Sequence, residues 1–345
     1  MLKRPLQAAR TLARHGLQRA ASRFGPQRRT SRSPRLWILM YHRILPAEQA
    51  AAEGEEPGMY VTPETFANHL RWVRECLHVV RLGEWVQRVQ TGEIVPANAC
   101  AITFDDGWRD NVEHALPLLV ESNTPATVFA VSHMVGTTGQ FWPNRLSRLL
   151  DQRGEAVLSD PAWGWLQQLA APLPGGLGSA LASAEARSAL IHRCKQLSDA
   201  LLNQRLDELE RRPPALPPPS RSLMNWEELR TMMDTGLVEI GSHSCHHYRL
   251  GPELSTEITQ REIIASQKRL EAELGRPIPL FCYPNGDYTA SAAVQVAKHY
   301  QAAVTTQRGI NTADTPMNRL LRIGLHENAT SHYHAFMARL SGWRV

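Results

Sequence analysis

Seven times between residues 36 and 325 the chain passes through an apolar stretch only long enough for a strand, at 36–41, 100–104, 126–131, 238–241, 278–283, 302–306 and 320–325. Helical patterns fill most of the intervals. Thr62 and Pro63 supply an N-cap and a first-turn proline, and Phe66, Leu70, Val73 and Leu77 share one face of the helix that follows. Asn225 with Glu228 is a capping pattern for a helix running to about Thr235, with Gly236 placed to stop it. Residues 254–274 read as a long helix ended by Gly275, Arg276 and Pro277. Strand and helix alternating over this length predict an α/β protein with a mainly parallel sheet. About seven strands suit a sheet closed into a barrel.

One segment breaks the alternation. Residues 136–222 are helix-rich, with helical patterns at 146–151 and 181–209 and a Pro/Gly-rich stretch at 171–178. They end in Pro213-Pro214 and Pro217-Pro218-Pro219. The segment reads as a helical insertion that returns through a stiff linker.

Charge is unevenly placed. Residues 1–35 hold ten basic side chains, and the first acidic residue is Glu48. Removing those ten from 38 basic against 33 acidic residues leaves the remainder about five units negative. The basic character is therefore a property of the N-terminal extension, and the body carries no pattern of a nucleic-acid binder. Leu6, Ala9, Ala13, Leu17, Ala20 and Phe24 recur at helical spacing among the arginines. That pattern suits a helix lying on an anionic membrane surface, while the plainer reading is a solvated basic extension. No secretory signal or membrane-spanning stretch is legible, and five cysteines without a CxxC pair argue for a reducing compartment, so the expectation is a cytoplasmic, at most membrane-peripheral, protein. Oligomeric state is not legible.

The residues able to carry chemistry sit where apolar strands stop. Asp105 and Asp106 follow the second strand and precede Gly107, at the kind of strand end where parallel α/β folds build their sites. His243, Cys245, His246 and His247 follow the fourth strand. His243 and His247, four apart, can aim at one ion, although Cys245 and His246 are ligand types too. One Asp and two His would leave an open position for water on a catalytic ion, with the spare Asp as general base. Phe281 to Gly286 is a strand end running into a Pro-Asn-Gly turn, and His326 ends the last strand.

Taken in order, Thr103–Gly107, His243–His247 and Phe281–Gly286 resemble the motifs of the polysaccharide deacetylase family, the NodB-homology or carbohydrate esterase family 4 group. Leu39 to Arg43 and the flanks of the second and third motifs are similar to the branch found in exopolysaccharide gene clusters. The resemblance implies a distorted (β/α)₇ barrel over residues 36–345, with the helical insertion at about 136–222. It implies Asp105 as general base, Asp106, His243 and His247 as ligands of one divalent ion (Zn²⁺, with Co²⁺, Fe²⁺ or Mn²⁺ also suited), and His326 as general acid. It also implies an oxyanion contact from the backbone N–H of Asn285, with Tyr283 and Arg109 near the substrate. The activity implied is N-deacetylation of an amino sugar in a polysaccharide or its precursor. A glycan O-deacetylase and a non-catalytic glycan-binding homologue are the alternatives. Two positions depart from the family pattern. Cys282 stands where many members carry the arginine that orients the base, leaving Arg109 or Arg322 to replace it. The residues around His326 match loosely, which makes His42 an alternative acid.

Overall fold

The computed structural model describes the backbone of residues 3–343 and the side chains of residues 13–343. Seven strands carry the architecture: β1 (Arg35–Tyr41), β2 (Asn98–Phe104), β3 (Ala126–Ala130), β4 (Val238–Ser242), β5 (Leu280–Cys282), β6 (Ala302–Arg308) and β7 (Leu320–Gly324). Each is parallel to the next, and β7 pairs back onto β1 through Leu39 and Ile323, so the sheet closes on itself. The expected seven-stranded parallel barrel is therefore present. Two short strands flank it: His78–Val79 lies parallel to β2, and Asn311–Thr312 antiparallel to β1.

Strand alternation sorts the side chains into two layers. Leu36, Ile38, Ala99, Ala101, Phe129, Leu280 and Val304 fill the barrel interior. Trp37, Leu39, Tyr41, Ile102, Phe104 and Ile240 point outward and pack beneath the helices. The same period carries Thr103 and Asp105 inward at the end of β2, and Arg322 inward on β7.

Helices follow the caps read from the sequence. α1 is Lys3–Phe24, α2 is Pro63–Val73, α3 is Trp142–Arg153, α4 is Asp199–Glu210, α5 is Trp226–Asp234, α6 is Thr256–Leu274 and α7 is Tyr333–Leu340. Thr62 caps α2, and Asn225 with Glu228 forms a complete capping box on α5. Gly275 ends α6 at φ 65°, a left-handed conformation glycine adopts at little cost. The helix expected over 181–209 is instead two, Ala184–Cys194 and α4, because the Ser198 hydroxyl accepts the Leu201 N–H and starts a new helix. Trp142, Leu146, Leu150, Trp163, Leu190, Leu202 and Leu206 give the segment between β3 and α5 an apolar core of its own.

The basic N-terminal segment is helical, and its end is docked onto the body. Ala21 is buried, and the Gln27 amide donates to the carbonyls of Ala21 and Met337 at 3.0 and 3.2 Å. Ser22 meets His334 of α7 at 3.0 Å. Leu17 and Phe24 remain about half exposed, whereas the side chains of Leu6 and Ala9 lie outside the described residues. No described helix is long and apolar enough to cross a membrane.

Candidate metal centre and acid–base site

The Asp-Asp-Gly turn is built to separate its two carboxylates. Asp105 continues the inward alternation of β2. Asp106 then takes φ 75° and Gly107 φ 78°, turning the second carboxylate across the barrel mouth. Aspartate is one of the few non-glycine residues that tolerate this region. Trp108 donates its indole N–H to Asp106 Oδ2 at 2.8 Å and fixes that carboxylate, a role not anticipated from the sequence.

Opposite, the loop after β4 presents two imidazoles. Ser244 and His247 both adopt positive φ, and the Ser244 hydroxyl accepts the His247 N–H at 2.9 Å. His243 Nε2 and His247 Nε2 each lie 3.3 Å from Asp106 Oδ1. His243 Nδ1 lies 2.8 Å from the Cys282 carbonyl, to which it donates, leaving Nε2 free to act as a ligand. His246 and Cys245 face elsewhere. The Glu262 carboxylate accepts both of their backbone N–H groups, at 2.8 and 3.0 Å, and lies 2.6 Å from His246 Nδ1. The ligand atoms of Asp106, His243 and His247 all lie within 4.8 Å of one another, a donor set that fits one divalent ion with a coordination position to spare.

Asp105 stands beside this set with a partner of its own. Arg322, fully buried, donates two parallel hydrogen bonds of 2.7 Å to its oxygens. The Cys282 thiol lies 3.1 Å from the same guanidinium. Burial alone would raise the Asp105 pKa, but Arg322, with the imidazoles of His243 and His42, holds it below the ordinary carboxylate value. Of the two arginines considered for this role, the geometry selects Arg322. Arg109 is tied to Glu113 and Glu228 at 3.0 and 3.2 Å.

A cavity of about 310 Å³ opens above the four residues. His42 and Asn285 line it, and the segment between β3 and α5 contributes Phe141, Trp142, Ile191 and Lys195. His42 Nε2 is 3.8 Å from Asp105 Oδ2. Lys195 Nζ donates to Asn285 Oδ1 at 2.7 Å. His326 is not part of the wall. It starts the short helix Glu327–Thr330, and burial, with Arg339 and His42 nearby, lowers its pKa to about 4. Tyr283 turns outward, is fully buried, and donates its hydroxyl to the Asn318 carbonyl at 3.0 Å, so it does not reach the cavity. Both departures come from strand alternation and local burial, which the motif spacing does not reveal.

A family model described as polysaccharide deacetylase matches residues 93–160 and 207–304. A Bacillus subtilis (strain 168) protein, YxkH, provisionally named a polysaccharide deacetylase, is 28% identical over 109 residues, which is 31% of this chain and 36% of that protein's length. Among solved structures, IcaB from Ammonifex degensii superposes with a TM-score of 0.57 at 16% identity, covering 89% of this chain and 97% of its own. The Streptococcus pyogenes deacetylase PplD, solved with acetate, gives 0.56 at 18% identity, covering 87% and 96%. At these identities the structural likenesses speak for the fold.

Proposed function

The chain belongs to the polysaccharide deacetylase family, and we propose that it is a metal-dependent hydrolase of carbon–nitrogen bonds other than peptide bonds, removing N-acetyl groups from amino-sugar units of a polysaccharide or its precursor. The observation that carries the reading is the three-donor set of Asp106, His243 and His247 beside Asp105, whose two oxygens are held by Arg322. When bound there, a divalent ion (Zn²⁺, or Co²⁺, Fe²⁺ or Mn²⁺) supplies a Lewis acid that acidifies a water and polarises the acyl carbonyl.

The chain's own groups supply the rest. Asp105 accepts the proton of the attacking water, and Arg322 keeps that carboxylate ionised and aimed. The backbone N–H of Asn285, on the cavity wall, donates to the developing oxyanion. Cleavage expels an amine, which leaves well only when protonated, and His42 on the same wall is the better placed donor than His326. The acetate bound to PplD is the product such a reaction would release.

The test is acetate release from N-acetylated and O-acetylated oligosaccharides before and after chelation. Activity is expected on the N-acetyl substrate, lost with the ion and restored by Zn²⁺ or Co²⁺. Asp105→Asn should retain the ion and lose about 10²–10⁴-fold in rate. Normal turnover in that variant removes Asp105 from the base role, and release from the O-acetyl substrate alone makes the protein an esterase.

A further inference from the structure

The N-terminal helix α1 is attached to the body by a face other than its apolar one. Ala21 and Ser22 are buried, Ser22 meets His334 of α7, and Gln27, just past the helix, donates to the Met337 carbonyl. Ala13, Leu17, Ala20 and Phe24 fall at i, i+4, i+7 and i+11 and share one side of the helix. That stripe is turned about a third of the way round the helix from the Ala21–Ser22 face. It is therefore left uncovered, with Leu17 and Phe24 half exposed. Among the described residues, α1 carries two of the seven large apolar side chains left exposed, and no other helix carries more than one.

Cations border the stripe. Arg14, Arg19 and Arg23 are exposed, and the Arg23 guanidinium lies 5.8 Å from the centre of the Phe24 ring. Residues 1–35 hold ten basic side chains and no acidic one. Among the described arginines of this segment only Arg28 pairs with a carboxylate, that of Glu75. An apolar stripe edged by unneutralised cations matches a surface with negative charge outside and hydrocarbon beneath, which is an anionic bilayer. A nucleic acid would satisfy the arginines but leave Leu17 and Phe24 against its phosphates. A second copy of α1 would cover the stripe but bring like charges together.

We propose that α1 is a membrane-surface helix: Leu17 and Phe24 enter the headgroup layer of an anionic bilayer, Arg14, Arg19 and Arg23 meet its charged headgroups, and the Ala21–Ser22 face holds the barrel to it. The helix lies on the bilayer, since no described helix is long and apolar enough to cross one. The inference stands apart from the deacetylase reading and needs nothing from the metal ligands.

The test is flotation of the full chain with vesicles of phosphatidylcholine alone and of equal parts phosphatidylcholine and phosphatidylglycerol. The mixed vesicles are expected to bind at least about tenfold more tightly, since each basic side chain near an anionic surface contributes about fivefold in affinity. Added salt should shrink that preference. Arg14→Glu with Arg23→Glu is expected to lose at least about tenfold on the mixed vesicles. Leu17→Asp with Phe24→Asp is expected to lose as much at an unchanged melting temperature, because neither side chain is buried. In a Phe24→Trp variant, tryptophan emission should move to the blue on mixed vesicles. Absent binding, equal binding to both vesicles, or unmoved emission would overturn the proposal. So would full binding by the Leu17→Asp, Phe24→Asp protein, which would reduce the contact to charge alone. Self-association that this double variant abolishes, without vesicle binding, would assign the stripe to a second copy. Tighter binding to duplex DNA than to mixed vesicles would assign the arginines to nucleic acid.

Discussion

At the residue scale, the central arrangement is the pairing of Asp105 with Arg322, one of the two arginines the sequence offers for the role. Arg322 enters the barrel from β7, and the small Cys282 thiol on β5 leaves it room. The guanidinium that the sequence resemblance leads one to expect at position 282 thus reaches Asp105 from another strand. Arg322→Met should abolish most activity and destabilise the fold by about 3–5 kcal/mol, the usual cost of leaving a buried charge unpaired. Adding Cys282→Arg to that variant should recover part of both, as read by turnover and melting temperature. No recovery would mean that position 282 cannot present a guanidinium to Asp105. The acid role is separable by leaving group. His42→Ala should lose about 10²-fold or more on an N-acetyl sugar but little on an aryl acetate, whose phenolate leaves without a proton. If His326→Ala shows that selectivity instead, the donor is His326.

Asp105, Asp106, His243 and His247 are legible in the sequence because each motif directly follows an apolar strand. Trp108 is not legible in its role, and Arg322 is legible only as one of two candidates. Both depend on which partner meets which side chain across the closed barrel, and spacing along the chain does not encode that.

At the element scale, the loop after β4 is shaped by α6. Glu262, fully buried, spans the backbone N–H groups of Cys245 and His246 and the His246 ring. It touches neither His243 nor His247, yet it holds the loop that carries them. Glu262→Gln is expected to weaken ion binding about 10–100-fold, as lost support of ligands usually does. Calorimetry with Zn²⁺ or Co²⁺ checks this, and an unchanged affinity would reduce Glu262 to a folding role. Metal stoichiometry in the same titration separates this from a second ion at Cys245, His246 and Glu262, which would give two per chain. The sequence places α6 well, since its cap at Ser255 and stop at Gly275 are local signals. It misplaces the break at Ser198, because a helical pattern through 181–209 masks the short turn that brings Lys195 and Asp199 to the barrel rim.

At the scale of the whole molecule, the barrel was legible because seven apolar runs at similar spacing leave few alternatives to a closed parallel sheet. The docking of the N-terminal segment was not, since its composition is that of a solvated arm, and the contacts that tie it down among the described residues, such as those of Ala21, Ser22, Gln27 and Arg28, leave no periodic signal. A different attachment joins the segment between β3 and α5 to the ligand loop. Arg249, two residues past His247, bonds both oxygens of Asp199 through its backbone N–H and Nε, at 2.8 and 2.9 Å. It also donates to the carbonyls of Lys195 and Leu197, at 2.6 and 2.5 Å. Arg249 thereby ties the start of α4 to the loop that carries His247, so opening of one is expected to loosen the other. By reciprocity, whatever the ion gains from an ordered loop it returns as slower opening of the segment between β3 and α5, which forms a roof over the cavity. Amide hydrogen exchange across α4 should slow when Zn²⁺ is added, and Asp199→Asn should uncouple the two. Exchange that ignores the ion would show that the roof and the metal loop breathe independently. If they are coupled, substitutions deep among the roof's leucines, far from any ligand, will first register as a fall in metal occupancy.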